Sequence, residues 1–189
     1  MRFEQPSRPV IDVRTTKEAK LKAFITEAVA AHDGASALTL VARATDSPVA
    51  CALAAAIAGS GRTDLMLNAV LFDIDSIVED HASASILDVR GAEFRVLGDA
   101  RFVAAHEQLV LGGDRVWIGD CMRRDPMKRD AFELFHASNP TCAGHAIASF
   151  AKLWEAAHPL DRTIARAPAP EVIAAGQTTE DSGMPTTRN

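Results

Sequence analysis

Two short apolar runs separated by an alanine-rich helix constrain this chain more than any other feature. Ser36 to Val41 and Asp64 to Phe72 read as strands, and between them Ser47 and Pro48 open a helix over VACALAAAIAG. Serine is a favoured helix start and proline is tolerated in the first turn, so the local signal is consistent. A strand, a helix and a second strand imply parallel pairing, because a helical crossover is what returns the chain to the same end of the sheet. The alanines keep the helix thin enough to pack closely on that sheet.

Around this unit the remaining periodicities build a two-faced α/β domain. Lys17 to His32 carries Leu21, Phe24, Ile25 and Ala28 at helical spacing, with Gly34 as a stop. A short helix is expected near Ser76 to Ala82, then strands around Glu93 to Leu97, Phe102 to Leu111, Arg115 to Ile118 and Ala131 to Phe135. Gly112-Gly113-Asp114 reads as a hairpin turn between two of them. Thr141 to Ala157 closes the body as a helix, with Ile147, Phe150, Ala151 and Trp154 on one stripe and Pro159 ending it. The expected architecture is α/β, a mixed sheet of about six or seven strands with helices on both faces. It forms one domain over residues 1–160. Residues 161–189 alternate alanine, proline, threonine and charges without hydrophobic period, and are expected to be a disordered tail.

Composition narrows the setting. At 189 residues and 48 % hydrophobic, the chain suits a single domain with a substantial core. Cys51, Cys121 and Cys142 are odd in number and scattered, which argues against a disulfide framework and for a reducing, cytoplasmic setting. The first residues, MRFEQPSRPVIDVRTT, lack the apolar stretch of a signal peptide, and no run is long enough for membrane insertion. A net charge of −5 gives no general attraction to nucleic acid, which is not expected as a partner. Arg123, Arg124, Lys128 and Arg129 form the one basic cluster. It reads either as an anion site or as a solvated loop balanced by Asp125 and Asp130.

The candidate chemistry lies in AHEQLVLGGDRVWIGDCMRRDPMKRDAFE, from Ala105 to Glu133. His106 interrupts an otherwise apolar strand pattern, as if an imidazole were being placed there. Its order of histidine strand, aspartate turn, Val-Trp-Ile-Gly strand end and a glutamate fourteen positions after that glycine resembles one half of the phospholipase D superfamily, whose pattern is H-x-K, Asp, G-S-x-N and a later Glu. His106 stands at the family's histidine, Gln108 at its lysine, Asp114 near its aspartate with the spacing shifted by one, and Glu133 at its glutamate. Gly119 and Asp120 fall at its Gly-Ser, and Met122 at its asparagine. The opening helix, the strand-helix-strand unit and a closing Phe150-x-x-x-Trp154 helix also occur in such halves.

The resemblance implies a phospholipase D-like half that pairs as a homodimer across its histidine face and takes a phosphate-containing ligand. In such enzymes one histidine attacks phosphorus and another protonates the leaving oxygen, while lysines stabilise the charge. His106, Glu133 and Asp114 are then the catalytic candidates, and Gln108, Arg123 and Arg124 the phosphate-binding ones. Gln108 supplies no charge, Asp120 adds a negative one, and Met122 removes an amide donor, so the pattern predicts a catalytically impaired domain acting as a binding or assembly module. The alternative is an active phosphodiesterase, of nuclease or phospholipase type, with His106 as nucleophile, Glu133 orienting it and an arginine clamping phosphate. A plainer reading makes His106 a buried imidazole bonded to Glu133, holding two strands together. No cofactor is expected, and no metal: Cys142 and His145 lack a second compact ligand pair. A Cys121 nucleophile with His106 as base is disfavoured, and Trp117 and Trp154 read as core.

Overall fold

A computed structural model describes residues 10–34, 37–72, 85–98, 105–121 and 133–160. The helix expected near Ser76 to Ala82, the basic cluster from Arg123 to Arg129 and the tail at 161–189 lie outside the described residues. In chain order the elements are α1 (Val10–Ala31), β1 (Leu38–Ala42), α2 (Pro48–Ser60), β2 (Leu67–Leu71), a 3-10 turn (Ile86–Asp88) and β3 (Ala92–Val96), then β4 (His106–Leu111), β5 (Arg115–Cys121), β6 (Leu134–His136), α3 (Pro140–Ala156) and β7 (His158–Pro159). The strands form one seven-stranded sheet in the order β6-β5-β4-β1-β2-β3-β7. The α/β class with a mixed sheet is thus as the sequence implies.

β1 is the centre of the sheet. All five of its residues are buried, the signature of a strand covered on both faces. It pairs in parallel with β2, Leu38 with Leu67 through Ala42 with Leu71, as the strand-helix-strand unit requires. On its other side it pairs antiparallel with β4, Leu40 opposite Leu109 and Val41 opposite Gln108. Its side chains alternate between two cores: Leu38, Leu40 and Ala42 face α1 and α2, packed with Ile25, Leu53 and Leu109. Val41 faces α3 with Val70, Phe150 and Leu153. Each large aliphatic side chain buried this way contributes about 1.5–3 kcal/mol.

Local chemistry sets the element ends. Gly61 takes φ 65° after α2 and returns its N–H to the Ala58 carbonyl, a left-handed cap that glycine adopts without steric cost. The hairpin between β4 and β5 turns at Gly112, φ 76°, and the Asp114 carbonyl accepts from the Asn139 N–H at 2.7 Å, tying the turn to the start of α3. Asn139 also caps α3, its side chain accepting from Cys142 N at 2.9 Å. Ser47 differs from expectation: its hydroxyl accepts from the Ala44 N–H at 3.2 Å and makes no cap bond to α2. It tightens the turn after β1 instead.

Two further differences have clear causes. The stripe of α3 that meets the sheet is Ala143, Ala146, Phe150 and Leu153, whereas Ile147 is 43 % exposed and Ala151 is exposed. Ala143 and Ala146 pack on Val110 and Val116, where the helix lies close to the strands and small size matters more than hydrophobicity. β7, which the sequence places as a helix end at Pro159, adds an edge strand on β3, pairing Arg95 with Pro159. Proline suits an edge because no ladder hydrogen bond is asked of it there.

Arg62 secures the end of α1. Its Nη1 donates to the carbonyls of Val29 and His32, and its Nε donates to Asp64 Oδ1 at 3.0 Å. Carbonyls at a helix end otherwise lack partners and carry partial negative charge, so a guanidinium there is doubly favourable. The hydrogen bond from Arg62 holds the Asp64 carboxyl below its ordinary value of 3.8. A lowered carboxyl value means that this tie is complete above the unfolded-state value and is lost as pH falls through the folded one. We expect amide exchange around residues 29–32 to accelerate between about pH 5 and pH 2 in the wild type, after correction for intrinsic rates, and Asp64→Asn to remove most of that excess.

Candidate functional site

β4 begins at His106 beside the carboxyl end of β1, so the imidazole lies at the end of the sheet where open α/β folds place ligands. The local geometry comes from a bulge. Between the pairs His106–Cys121 and Gln108–Ile118, β4 advances two residues and β5 three, leaving Gly119 and Asp120 to share one position. A bulge takes its extra residue out of the ladder and turns the strand. Here the Gly119 carbonyl accepts a hydrogen bond from His106 Nδ1 at 2.8 Å. That bond fixes the ring orientation and places the lone pair of the neutral imidazole on Nε2. His106 is exposed, unlike the buried histidine of the plainer reading, although its bond to Gly119 does join β4 to β5.

Gly119 is required by its neighbour. A Cβ built on it would fall 2.7 Å from Trp117 Cζ2 and closer still to Cη2, because the buried indole lies across the glycine. The Val-Trp-Ile-Gly strand end therefore has a packing origin as well as a place in the site.

The other candidates separate. Gln108 is 7 % exposed, and its amide nitrogen donates to the Ala146 carbonyl of α3 at 3.1 Å, so its donor is engaged beneath the helix. Asp114 lies in the hairpin at the far end of β4 from His106, about 17 Å away along a strand of that length, and the structure does not bring the two together. Glu133 immediately precedes β6, and the pairing of Leu134 with Ile118 puts it across from Gly119, at the His106 end. The backbones of His106 and Glu133 are thus about 10 Å apart, two interstrand spacings. Arg123, Arg124 and Met122 lie outside the described residues.

One group at this end, Glu107, was not singled out in the sequence, and Asp120 was singled out only as a substitution at the family's serine. Glu107, 7 % exposed, accepts the Arg43 N–H on Oε1 at 3.0 Å, a buried carboxylate completing the end of β1. Its signal was an acid in the alternating pattern Glu107, Leu109, Leu111, whose other members are core. Asp120, also 7 % exposed, lies in the bulge. Arg43 follows β1 directly, its carbonyl accepting from Phe72 N at 3.0 Å. The end of the sheet is therefore mixed in charge, with Glu107, Asp120 and Glu133 against His106 and Arg43.

Among the described residues no group of three or more histidine, cysteine, aspartate or glutamate side chains is placed to hold a metal ion. No described helix is long and apolar enough to cross a membrane. A cavity of about 350 Å³ lies at the opposite end of the sheet, between the carboxyl end of α2 and the start of β3, lined by Ile57, Arg62, Leu65, Ser85 and Arg90. It is separate from the His106 end.

Comparison with known proteins resolves the class of fold. The sequence matches no protein-family model and no curated protein. Among solved structures, the fold is similar to NucT from Helicobacter pylori, with a TM-score of 0.50 and 10 % identity over 77 % of this chain and 94 % of that one. It is similar to the same degree, 0.50 at 12 % identity, to TrmBL2, an archaeal chromatin protein with a novel mode of DNA binding. That match covers 76 % of this chain and 51 % of TrmBL2, so the chain spans about half of that protein. A weaker similarity, with a TM-score of 0.47 at 12 % identity over 74 % of this chain and 90 % of the other, is to the structure of Nuc from Salmonella typhimurium, described as a phospholipase D family member. What these likenesses show is the fold: this chain shares the α/β architecture of NucT, a mixed sheet with helices packed on it.

Two outcomes follow from the geometry around Gly119. Gly119→Ala forces the Trp117 ring aside and should cost about 1–3 kcal/mol in urea unfolding, with a shift in tryptophan emission. Long-range nitrogen–proton NMR of neutral His106 should show the Nδ1–H tautomer; an Nε2–H ring would contradict the bond to the Gly119 carbonyl.

Proposed function

We propose that residues 1–160 form a phospholipase D-like domain that binds a phosphate-containing ligand at its His106 end without turning it over, and that works as a binding or assembly module. The observation that supports this is the position of Gln108. The family resemblance asks for a lysine there to stabilise charge on phosphorus, and this side chain is neutral, buried and bonded to the Ala146 carbonyl. Losing a cationic donor at a transferring phosphoryl group costs on the order of 10² or more in rate. Asp120, at the family's serine, adds an acid in the bulge beside the histidine. In this reading the domain pairs as a homodimer across its histidine face, as the resemblance implies. The fold likeness to TrmBL2 makes DNA one of the ligands to try, against a net charge of −5.

A second reading has its own supporting observation. His106 is exposed with its Nδ1–H donated to a carbonyl, so the neutral ring carries its lone pair on Nε2, as a nucleophile toward phosphorus requires. Under that reading the domain is an active phosphodiesterase in which the Gly119 carbonyl, and not Glu133, orients the ring.

Turnover of bis(4-nitrophenyl) phosphate separates the two. The module reading expects wild type and His106→Ala to be equally inactive while wild type binds orthovanadate; hydrolysis by wild type that His106→Ala abolishes would establish the phosphodiesterase instead. Sedimentation at several concentrations tests the dimer, and a monomer throughout would remove the paired arrangement.

A further inference from the structure

We propose that the cavity at the amino-terminal end of β2 and β3 binds a small organic acid, one carboxylate on an aromatic or branched aliphatic body, with Arg90 as the residue that contacts the anion. The cavity, about 350 Å³, has the size of a small-molecule site and lies at the end of the sheet away from His106. It owes its space to the alanines of α2. Ala54 and Ala58 stand one turn apart on the same side of the helix, and both line the wall. Longer side chains there would fill the gap between α2 and the segment from Ser85 to Arg90, and two methyl groups leave it open. Ile57, Leu65 and Val89 complete the apolar lining and are themselves buried, so that surface is held in place by the core they belong to.

The polar groups select the charge of the ligand. Two arginines line the cavity, and they differ. Arg62 is committed: its guanidinium donates to the Asp64 carboxylate and to the carbonyls of Val29 and His32. Arg90 is exposed, and among the described residues its guanidinium has neither a hydrogen bond nor an ion pair. Two hydroxyls join it on the lining. Ser85 Oγ accepts from the Leu87 N–H at 3.3 Å, which leaves its own O–H to donate, and Thr63 is exposed. A guanidinium and two hydroxyls on an otherwise apolar lining supply donors for an acceptor, and a carboxylate takes a guanidinium in two parallel hydrogen bonds. Asp88 also lines the cavity and limits the charge it can hold. One uncommitted cation with one carboxylate suits a single negative charge; the second charge of a phosphomonoester would stand against Asp88 without a partner.

The probes are phenylacetate, 3-phenylpropanoate and 4-methylpentanoate, titrated into the full nitrogen-15-labelled chain and followed by amide NMR shifts. At least one should shift the amides of Thr63, Leu65, Val89 and Arg90 saturably, with a Kd of about 1 mM or tighter. Its primary amide counterpart should bind about tenfold or more weakly, and Arg90→Gln should weaken the acid by about the same factor. Ala58→Phe, at an exposed position of α2 that lines the cavity, should fill the space and abolish the shifts. The amide spectrum shows whether each variant is folded, and where Ala58→Phe is not, Ala58→Leu takes its place. Acid and amide binding alike, or Arg90→Gln binding the acid as wild type does, would overturn the role of Arg90. No saturable shift from any of the three acids up to about 20 mM would overturn the site itself.

Discussion

The structure depends on the double coverage of β1. A strand buried on both faces can exchange neither face for water, so its register is fixed by two cores at once, Leu38 and Leu40 against α1 and α2, Val41 against α3. That fixes the strands beside it. β2 follows in parallel because α2 carries the chain back over one face, and β4 arrives from the other side in the opposite direction. The change of direction at β1 puts the start of β4, and with it His106, at the carboxyl end of β1. The site is a consequence of the sheet order before it is a matter of individual residues.

Much of this order was legible in the sequence because it comes from strong local signals. The run from Leu38 to Leu71, with proline opening the helix and glycine closing it, admits little besides a parallel pair. The hairpin at Gly112 is equally plain. What local signals do not carry is distance across the sheet. Asp114 and His106 are near in sequence, yet a hairpin strand puts them at opposite ends, while Glu133 is far in sequence and returns to the histidine end through β6. The phase of α3 was misread for a different reason: Ile147 looks more hydrophobic than Ala143 and Ala146, but the helix approaches the strands where only alanine fits. Hydrophobicity ranks residues by transfer energy and close packing ranks them by size, and at this crossing the second decides.

Gly119 shows how packing and chemistry converge on one residue. Trp117 fills the core on one face of β5, and its ring occupies the space that a side chain at Gly119 would need. The same glycine sits in the bulge and presents its carbonyl to His106. The indole stabilises the fold, the glycine accommodates the indole, and the backbone so exposed orients the imidazole. The packing of Trp117 on Gly119 is by itself a sufficient reason for this glycine, so the Val-Trp-Ile-Gly strand end speaks for the fold more strongly than for any reaction.

The balance of charge decides what such a site can do. Three carboxylates lie toward the His106 end of the sheet, Glu107, Asp120 and Glu133, and Glu107 accepts the Arg43 N–H. At roughly 6 Å and an effective dielectric near 20, a full negative charge on such a group would repel a phosphate charge by about 3 kcal/mol. Catalysis asks for more than relief of that repulsion, since only a donor that binds the transition state more tightly than the ground state accelerates the reaction. The family's lysine would supply that surplus from the position of Gln108, and here that position lies under α3 with its donor occupied by the Ala146 carbonyl. With that donor engaged, the position that resembles the family's lysine offers no charge to a transition state, and this is the physical ground on which the proposed binding reading stands ahead of turnover.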